Sequence, residues 1–204
     1  MTFAPKRFWR RLRYGRPIVV VSGLPRSGTS MTMRMLEAGG MEIVTDGERL
    51  ADEDNPGGYY EDERVKNLAN EPDKSWLRAS KGRAVKVISF LLKDLPPNLN
   101  YQVILMRRDL GEVLASQRKM LDRRGETDDT PDERMMELWQ DQLWRVNYLL
   151  RHAPQFEWVE LEYREALQNP EGAAARIAEL VEGLDEQAMA EVVDPSLYRN
   201  RAGT

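Results

Sequence analysis

Short unbroken apolar runs alternate along this chain with longer segments in which apolar residues recur every three or four positions. Unbroken runs suit strands buried on both faces, and their alternation with helical periods is the pattern of a parallel α/β sheet. The runs predict strands over Ile18–Ser22, a short Glu42–Thr45, Ala84–Ser89, Gln102–Arg107 and Phe156–Tyr163. A helix over Thr29–Ala38 stops at Gly39-Gly40, a C-terminal signal. Leu110, Val113, Leu114, Gln117, Met120 and Leu121 form one face of a further helix. Met135, Leu138, Trp139, Leu143, Val146 and Leu150 form the face of another, and Pro131 with Asp132 and Glu133 suits its start. Ala174, Ile177, Leu180, Val181 and Leu184 pattern a C-terminal helix. The methionine and tryptophan stripes read as core. The expected fold is a single α/β domain, a parallel sheet of about five strands flanked by helices. Asp46–Tyr60 and Gly125–Thr130 fit neither pattern, which marks them for specificity or mobility.

Composition narrows this picture at three points. A chain of 204 residues, 41% hydrophobic, can bury one sizeable core. It contains no cysteine, which removes disulfides, thiolate metal sites and cysteine nucleophiles; the expected setting is cytoplasmic. The net charge of −4 argues neither for nor against a polyanionic partner. The first seventeen residues, "MTFAPKRFWRRLRYGRP", carry six basic residues and no acid. The apolar run behind them is too short for a signal peptide or a membrane span. Residues 1–16 are therefore expected to be a basic extension, solvated or docked, on a domain spanning 17–204. An arm touching RNA or a membrane surface is the other option.

The chemistry begins at "GLPRSGTS", Gly23–Ser30, directly after the first strand. Two glycines and several hydroxyls between a strand and a helix present backbone N–H groups and a helix N-terminus to an anion. The form approaches the triphosphate-binding loop GxxxxGK[ST], but Thr29 stands where the lysine belongs and Arg26 is the only basic residue inside. The strand "VILM" is followed by Arg107 and Arg108, where a magnesium-binding acid would be expected. Both departures point to an anion neutralised by arginine and backbone donors. In "RRDLGEVLASQ", Arg108 ends a strand and Ser116 follows eight residues later. An arginine fork with a hydroxyl beside it suits a phosphate dianion; pairing of Arg108 with Asp109 or Glu112 is the structural alternative.

Three segments in order resemble the sulfotransferases that use 3′-phosphoadenosine 5′-phosphosulfate (PAPS). "PRSGTS" at Pro25–Ser30 resembles the arginine form of that family's 5′-phosphosulfate loop. Arg108 and Ser116 match its 3′-phosphate motif in type and spacing. "EYREALQNP" places Tyr163 seven residues before Pro170, as in the family's adenine-contacting segment. The resemblance covers Pro17–Pro170. It implies a P-loop-like sulfotransferase fold, with Gly23, Pro25, Arg26, Ser27, Gly28, Thr29, Ser30, Arg108, Ser116 and Tyr163 holding the nucleotide. Arg199 and Arg201 in "YRNRAGT" resemble the basic tail that closes over it.

The cytosolic branch carries Lys-x-His on the strand equivalent to "VKVIS". Lys86 matches the lysine, which works on the bridging oxygen with Arg26, but Ile88 stands at the histidine. The one histidine, His152, reads as structural or solvent-facing. The resemblance then implies a carboxylate base, as in the Golgi branches. The acidic stretch "DGERLADEDNPGGYYEDE" supplies it, with Asp54 and Glu61 as the two candidates. No metal is implied. Eight acids against one arginine in that stretch favour neutral or cationic acceptors over sulfated glycans. Two rivals remain open: a P-loop kinase or nucleotide hydrolase that lost its lysine, and a non-catalytic nucleotide-dependent module using its basic arm on nucleic acid.

Overall fold

The computed structural model describes residues 4–47, 58–126, 128 and 130–197. Five strands form one sheet: β1 (Ile18–Gly23), β2 (Ile43–Val44), β3 (Ala84–Lys86), β4 (Tyr101–Arg107) and β5 (Phe156–Glu162). Their order is β2-β3-β1-β4-β5 and every pairing is parallel. The parallel arrangement follows from the buried runs, since all six residues of β1 are buried. Alternation along β1 splits them between two cores. Val19 and Val21 pack with Met33, Ile104, Leu161 and Ile177. Ile18 and Val20 pack on the other face with Leu77, Leu92, Val103 and Val146.

Helices cover both faces. α1 (Ala4–Tyr14) precedes the sheet, and α2 (Thr29–Ala38) follows β1. The short α3 (Glu63–Lys66) and α4 (Ser75–Ala79) lie between β2 and β3. α5 (Leu110–Arg124) and α6 (Asp132–His152) connect β4 to β5; α7 (Tyr163–Gln168), α8 (Pro170–Leu180) and α9 (Glu186–Glu191) follow β5. No helix among the described residues is long and apolar enough to cross a membrane.

Three elements depart from the sequence pattern. The run expected to form a strand over Ala84–Ser89 is a strand only to Lys86; Ser89–Asp94 turns into a 3₁₀ helix that buries Leu91 and Leu92 against α6. The C-terminal helical pattern breaks in two, because α8 ends at Leu180 and Asp185 caps a new helix. Ala4–Tyr14 of the basic extension form the helix α1, and of the two expected options it takes the docked one, through charged side chains. Arg10 is buried, and donates to the side chain of Asn100 (2.5 Å) and to the carbonyls of Tyr101, Pro154 and Gln155. Arg7 pairs with Glu157 at 2.6 Å. Burial pulls the Arg10 pKa down, partly offset by Glu157.

Candidate active site at the carboxyl ends of the strands

In an open parallel sheet, ligand sites form outside the carboxyl ends of the strands, where connections run to opposite sides. Here β1, β3, β4 and β5 all deliver motif residues to that edge. Register sets their level: Gly23 lies beside Met106, Val21 beside Lys86 and Arg107 beside Glu162. A cavity of about 420 Å³ opens there, within the roughly 300–1,000 Å³ usual for small-molecule sites. Gly23, Pro25, Arg26, Gly28, Thr29 and Ser30 line it.

The glycines are required by what surrounds them. Gly28 has φ +100, and a Cβ there would lie 2.4 Å from the Tyr163 ring. It caps α2 from the left-handed region, so the first N–H groups of that helix face the cavity mouth. A Cβ on Gly23 would meet the Ser27 hydroxyl and the Met106 carbonyl. Ser27 is buried, and its hydroxyl donates to the Leu24 carbonyl at 2.7 Å, which ties the loop to itself.

At one end of the cavity Lys86, from β3, reaches the loop. Its Nζ donates to the Tyr59 carbonyl at 2.6 Å and to Ser30 Oγ at 3.3 Å, and lies 3.5 Å from Glu61 Oε1. Glu61 also approaches Lys66, at 3.7 Å. Tyr59 and Glu61 both line the cavity because Tyr60 between them takes φ +52, turning its own side chain out to Glu37. Desolvation by burial and the hydrogen bond to Glu37 both raise the Tyr60 pKa, so the phenol stays protonated and donates. Arg26, at φ +67, is the other non-glycine residue at positive φ among the described residues. A left-handed side-chain-bearing residue costs roughly 1–2 kcal/mol; Arg26 lines this cavity, and Tyr60 stands between two residues that do.

At the other end Arg108 is nearly buried. It donates to Glu112 Oε2 at 2.9 Å and to the Arg26 carbonyl at 3.0 Å, and its guanidinium lies 4.6 Å from the centre of the Tyr163 ring. Arg108 precedes the cap Asp109, and Glu112 and Ser116 stand one turn apart on one stripe of α5. Arg26 Nε donates to Ser116 Oγ at 3.0 Å. The loop arginine thus points its guanidinium at the serine of the second motif. Burial raises the Tyr163 pKa, which keeps its hydroxyl protonated.

Other acids of the acidic stretch have structural partners. Asp62 is buried, caps α3 and holds Arg64 through both oxygens; Asp46 accepts from the Glu63 N–H at 2.7 Å. Ile88 lines the cavity, whereas His152 is exposed at the end of α6, stacked on Tyr148. Asp54, Arg199 and Arg201 lie outside the described residues. Sequence reasoning missed Arg34, which lines the cavity with a buried Nε that has no hydrogen-bond partner. It stands four residues after Ser30, so a helical wheel drawn from the loop would have found it. Lys119, Met120, Arg123 and Arg124 of α5 also line the cavity, hidden by their place on a surface helix.

No family model matches the sequence, and no curated protein matches it significantly. Solved structures do. The sulfotransferase STF1 from Mycobacterium tuberculosis H37Rv superposes with a TM-score of 0.53 at 16% identity, over 91% of this chain and 73% of that one. The sulfotransferase domain from the curacin biosynthetic pathway gives 0.52 at 13% identity, over 88% and 78%. An unliganded sugar kinase from Janibacter sp. HTCC2649 gives 0.43 at 17% identity, over 89% and 98%. At these identities the likeness is one of fold: the chain is a single-domain α/β protein with the five-stranded parallel sheet of the sulfotransferase-like P-loop fold.

Proposed function

We propose that the protein is a sulfotransferase that moves a sulfuryl group from PAPS to a hydroxyl or amine acceptor. The observation that carries this reading is convergence. Residues from four strand ends, far apart in sequence, meet on one cavity, with a Lys–Glu pair at one end and an Arg–Ser pair at the other. The donor is an anion at both its ends, and the cavity meets it with arginine, lysine and loop N–H groups.

In the proposed assignment the N–H groups of Gly28–Ser30 and the hydroxyls of Thr29 and Ser30 hold the 5′-phosphosulfate. Arg108, Ser116 and Arg26 hold the 3′-phosphate, and Tyr163 packs beside the nucleoside. The acceptor oxygen or nitrogen forms a bond to sulfur as the bond from sulfur to the bridging phosphate oxygen breaks. The electron pair of that bond leaves with adenosine 3′,5′-bisphosphate, and Lys86 offsets the charge that develops on it. Glu61 takes the acceptor's proton. Asp54 is the alternative base.

The testing experiment has two steps. Adenosine 3′,5′-bisphosphate, at about a hundred times its Kd, should stabilise the protein by roughly 2.7 kcal/mol without magnesium. The melting temperature then rises by about 5–10 °C. Transfer from labelled PAPS to members of an acceptor library should follow. A larger shift from ATP with magnesium, and no transfer, would overturn the reading in favour of phosphoryl chemistry.

A further inference from the structure

The helix α1 is docked the wrong way round for a surface helix. An ordinary one turns its apolar stripe inward and its charges to water. Here Arg7 and Arg10, about 60° apart on the helical wheel, face the domain and hydrogen-bond to Glu157, Asn100 and backbone carbonyls. Phe8, Trp9 and Leu12, which that wheel places on the opposite side, are exposed at 64%, 65% and 67%. Phe8 and Trp9 meet edge to face, with centroids 6.1 Å apart. Arg11 and Arg13 flank this apolar face on either side, both exposed.

We infer that α1 is an interfacial anchor that seats the amino-terminal edge of the sheet on an anionic lipid bilayer. Apolar side chains flanked by arginines, on a helix held parallel to a surface, are the composition that lies in the headgroup region of a membrane. Tryptophan and arginine both favour that depth. Charge supports a bilayer over the other occupants. Residues 1–17 carry +6 in a chain of net −4, which leaves −10 for the remainder. An anionic surface repels that remainder and attracts α1, so electrostatics selects this edge. A symmetric contact between two copies through the same face would bring Arg11 and Arg13 of each against those of the other. Nucleic acid would pair with the arginines but leaves Leu12, central on the face, without a partner.

The docking groups fix where the catalytic cavity then lies. Arg10 binds the start of β4 and the residues just before β5, whereas the cavity lies past their other ends. β4 is seven residues long, about 20 Å of strand. The membrane contact leaves the cavity open, and it neither requires nor tests the sulfotransferase reading.

The test is flotation of the full chain with vesicles of phosphatidylcholine alone, and with about one-third phosphatidylglycerol, at low and physiological salt. Binding to the anionic vesicles should be on the order of tenfold or more tighter, and should weaken with salt. Replacing Phe8, Trp9 and Leu12 together by Ser removes exposed side chains only. The variant should keep its melting temperature and lose about tenfold or more of the binding. Arg11→Gln with Arg13→Gln should abolish the preference for anionic lipid. Three results would overturn the proposal: no flotation of a folded wild type, equal flotation of the triple variant, or a wild-type dimer that the triple variant dissociates while neither floats. Capture of single-stranded RNA without flotation would overturn it too.

Discussion

Two glutamates near this cavity each face a cation, Glu61 lining it and Glu112 buried against Arg108, and they are held in opposite ways. Glu112 is 5% exposed and its partner Arg108 7%. The Glu112 backbone N–H is fixed at 3.0 Å by the capping Asp109, and its carboxylate grips the Arg108 Nε at 2.9 Å. Glu61 is 22% exposed, and Lys86 and Lys66 stand 3.5 and 3.7 Å from it. A buried pair in good geometry fixes a shape, and breaking it leaves an uncompensated charge. A partly solvated carboxylate that lines the cavity beside a lysine can be reached by an incoming group. In the proposed function Glu112 positions Arg108 and Glu61 takes the acceptor's proton, although the two residues are the same and both lie beside a cation.

Replacing each glutamate by glutamine breaks this comparison most directly. Glu61→Gln should lower turnover with PAPS by about 10²–10⁴, the range for a general base, while affinity for adenosine 3′,5′-bisphosphate changes little. Glu112→Gln should do the reverse, with weaker nucleotide binding, a lower melting temperature and residual turnover at saturation. Steady-state kinetics and calorimetry on both variants decide. Undiminished turnover in Glu61→Gln would move the base to Asp54.

Lys86 sharpens the same contrast at the next magnitude. Lys86→Ala should cost about a hundredfold in turnover, the scale of losing one donor to developing charge. Nucleotide affinity should fall much less. An affinity loss as large as the turnover loss would make Lys86 a binding residue like Arg108.

The sequence carried most of this site because the relevant signals are local. The strands were legible since buried parallel strands are continuous apolar runs, as in "IVVV" at Ile18–Val21. The Arg108–Ser116 spacing was legible since Arg108 follows a strand end directly and Ser116 stands in the second turn of the next helix. Arg26 is different. Its type and place in the loop point to the phosphosulfate, but φ +67 turns the side chain toward Ser116. No spacing rule encodes that rotation. The acidic stretch put Glu61 forward, with Asp54, as a candidate base and left Asp62 aside. Both Glu61 and Asp62 line the cavity, and the structure separates them through Arg64, which occupies both Asp62 oxygens. The docking of α1 was hidden because two arginines make it, and apolar periodicity points the other way.

Arg108→Ala tests the recognition end. A charge-assisted hydrogen bond to phosphate is worth roughly 1.5–3 kcal/mol, so binding of adenosine 3′,5′-bisphosphate should weaken about ten- to a hundredfold. Adenosine 5′-monophosphate, which lacks the 3′-phosphate, should bind nearly as before. Equal losses for both ligands would make Arg108 a scaffold for the Arg26 carbonyl and the Tyr163 ring.

The smallest effect separates the two ends at Arg26. Ser116 Oγ accepts from Arg26 Nε, which leaves the serine's own proton to donate elsewhere. If Arg26 and Ser116 serve one phosphate, removing either should weaken the other's contribution. Ser116→Ala alone should cost a neutral hydrogen bond, about 1 kcal/mol or fivefold in bisphosphate affinity. Arg26→Ala should cost more, and the double variant less than the sum, because the two residues share a hydrogen bond. The same cycle read in turnover at saturation should show little coupling, since Ser116 makes no contact at the Lys86 end. Additive losses in affinity, with Arg26→Ala acting on turnover alone, would return Arg26 to the phosphosulfate. That outcome would mean the guanidinium swings away from Ser116 when the donor binds, and the comparison would then rest on Arg108 and Glu112 without Arg26.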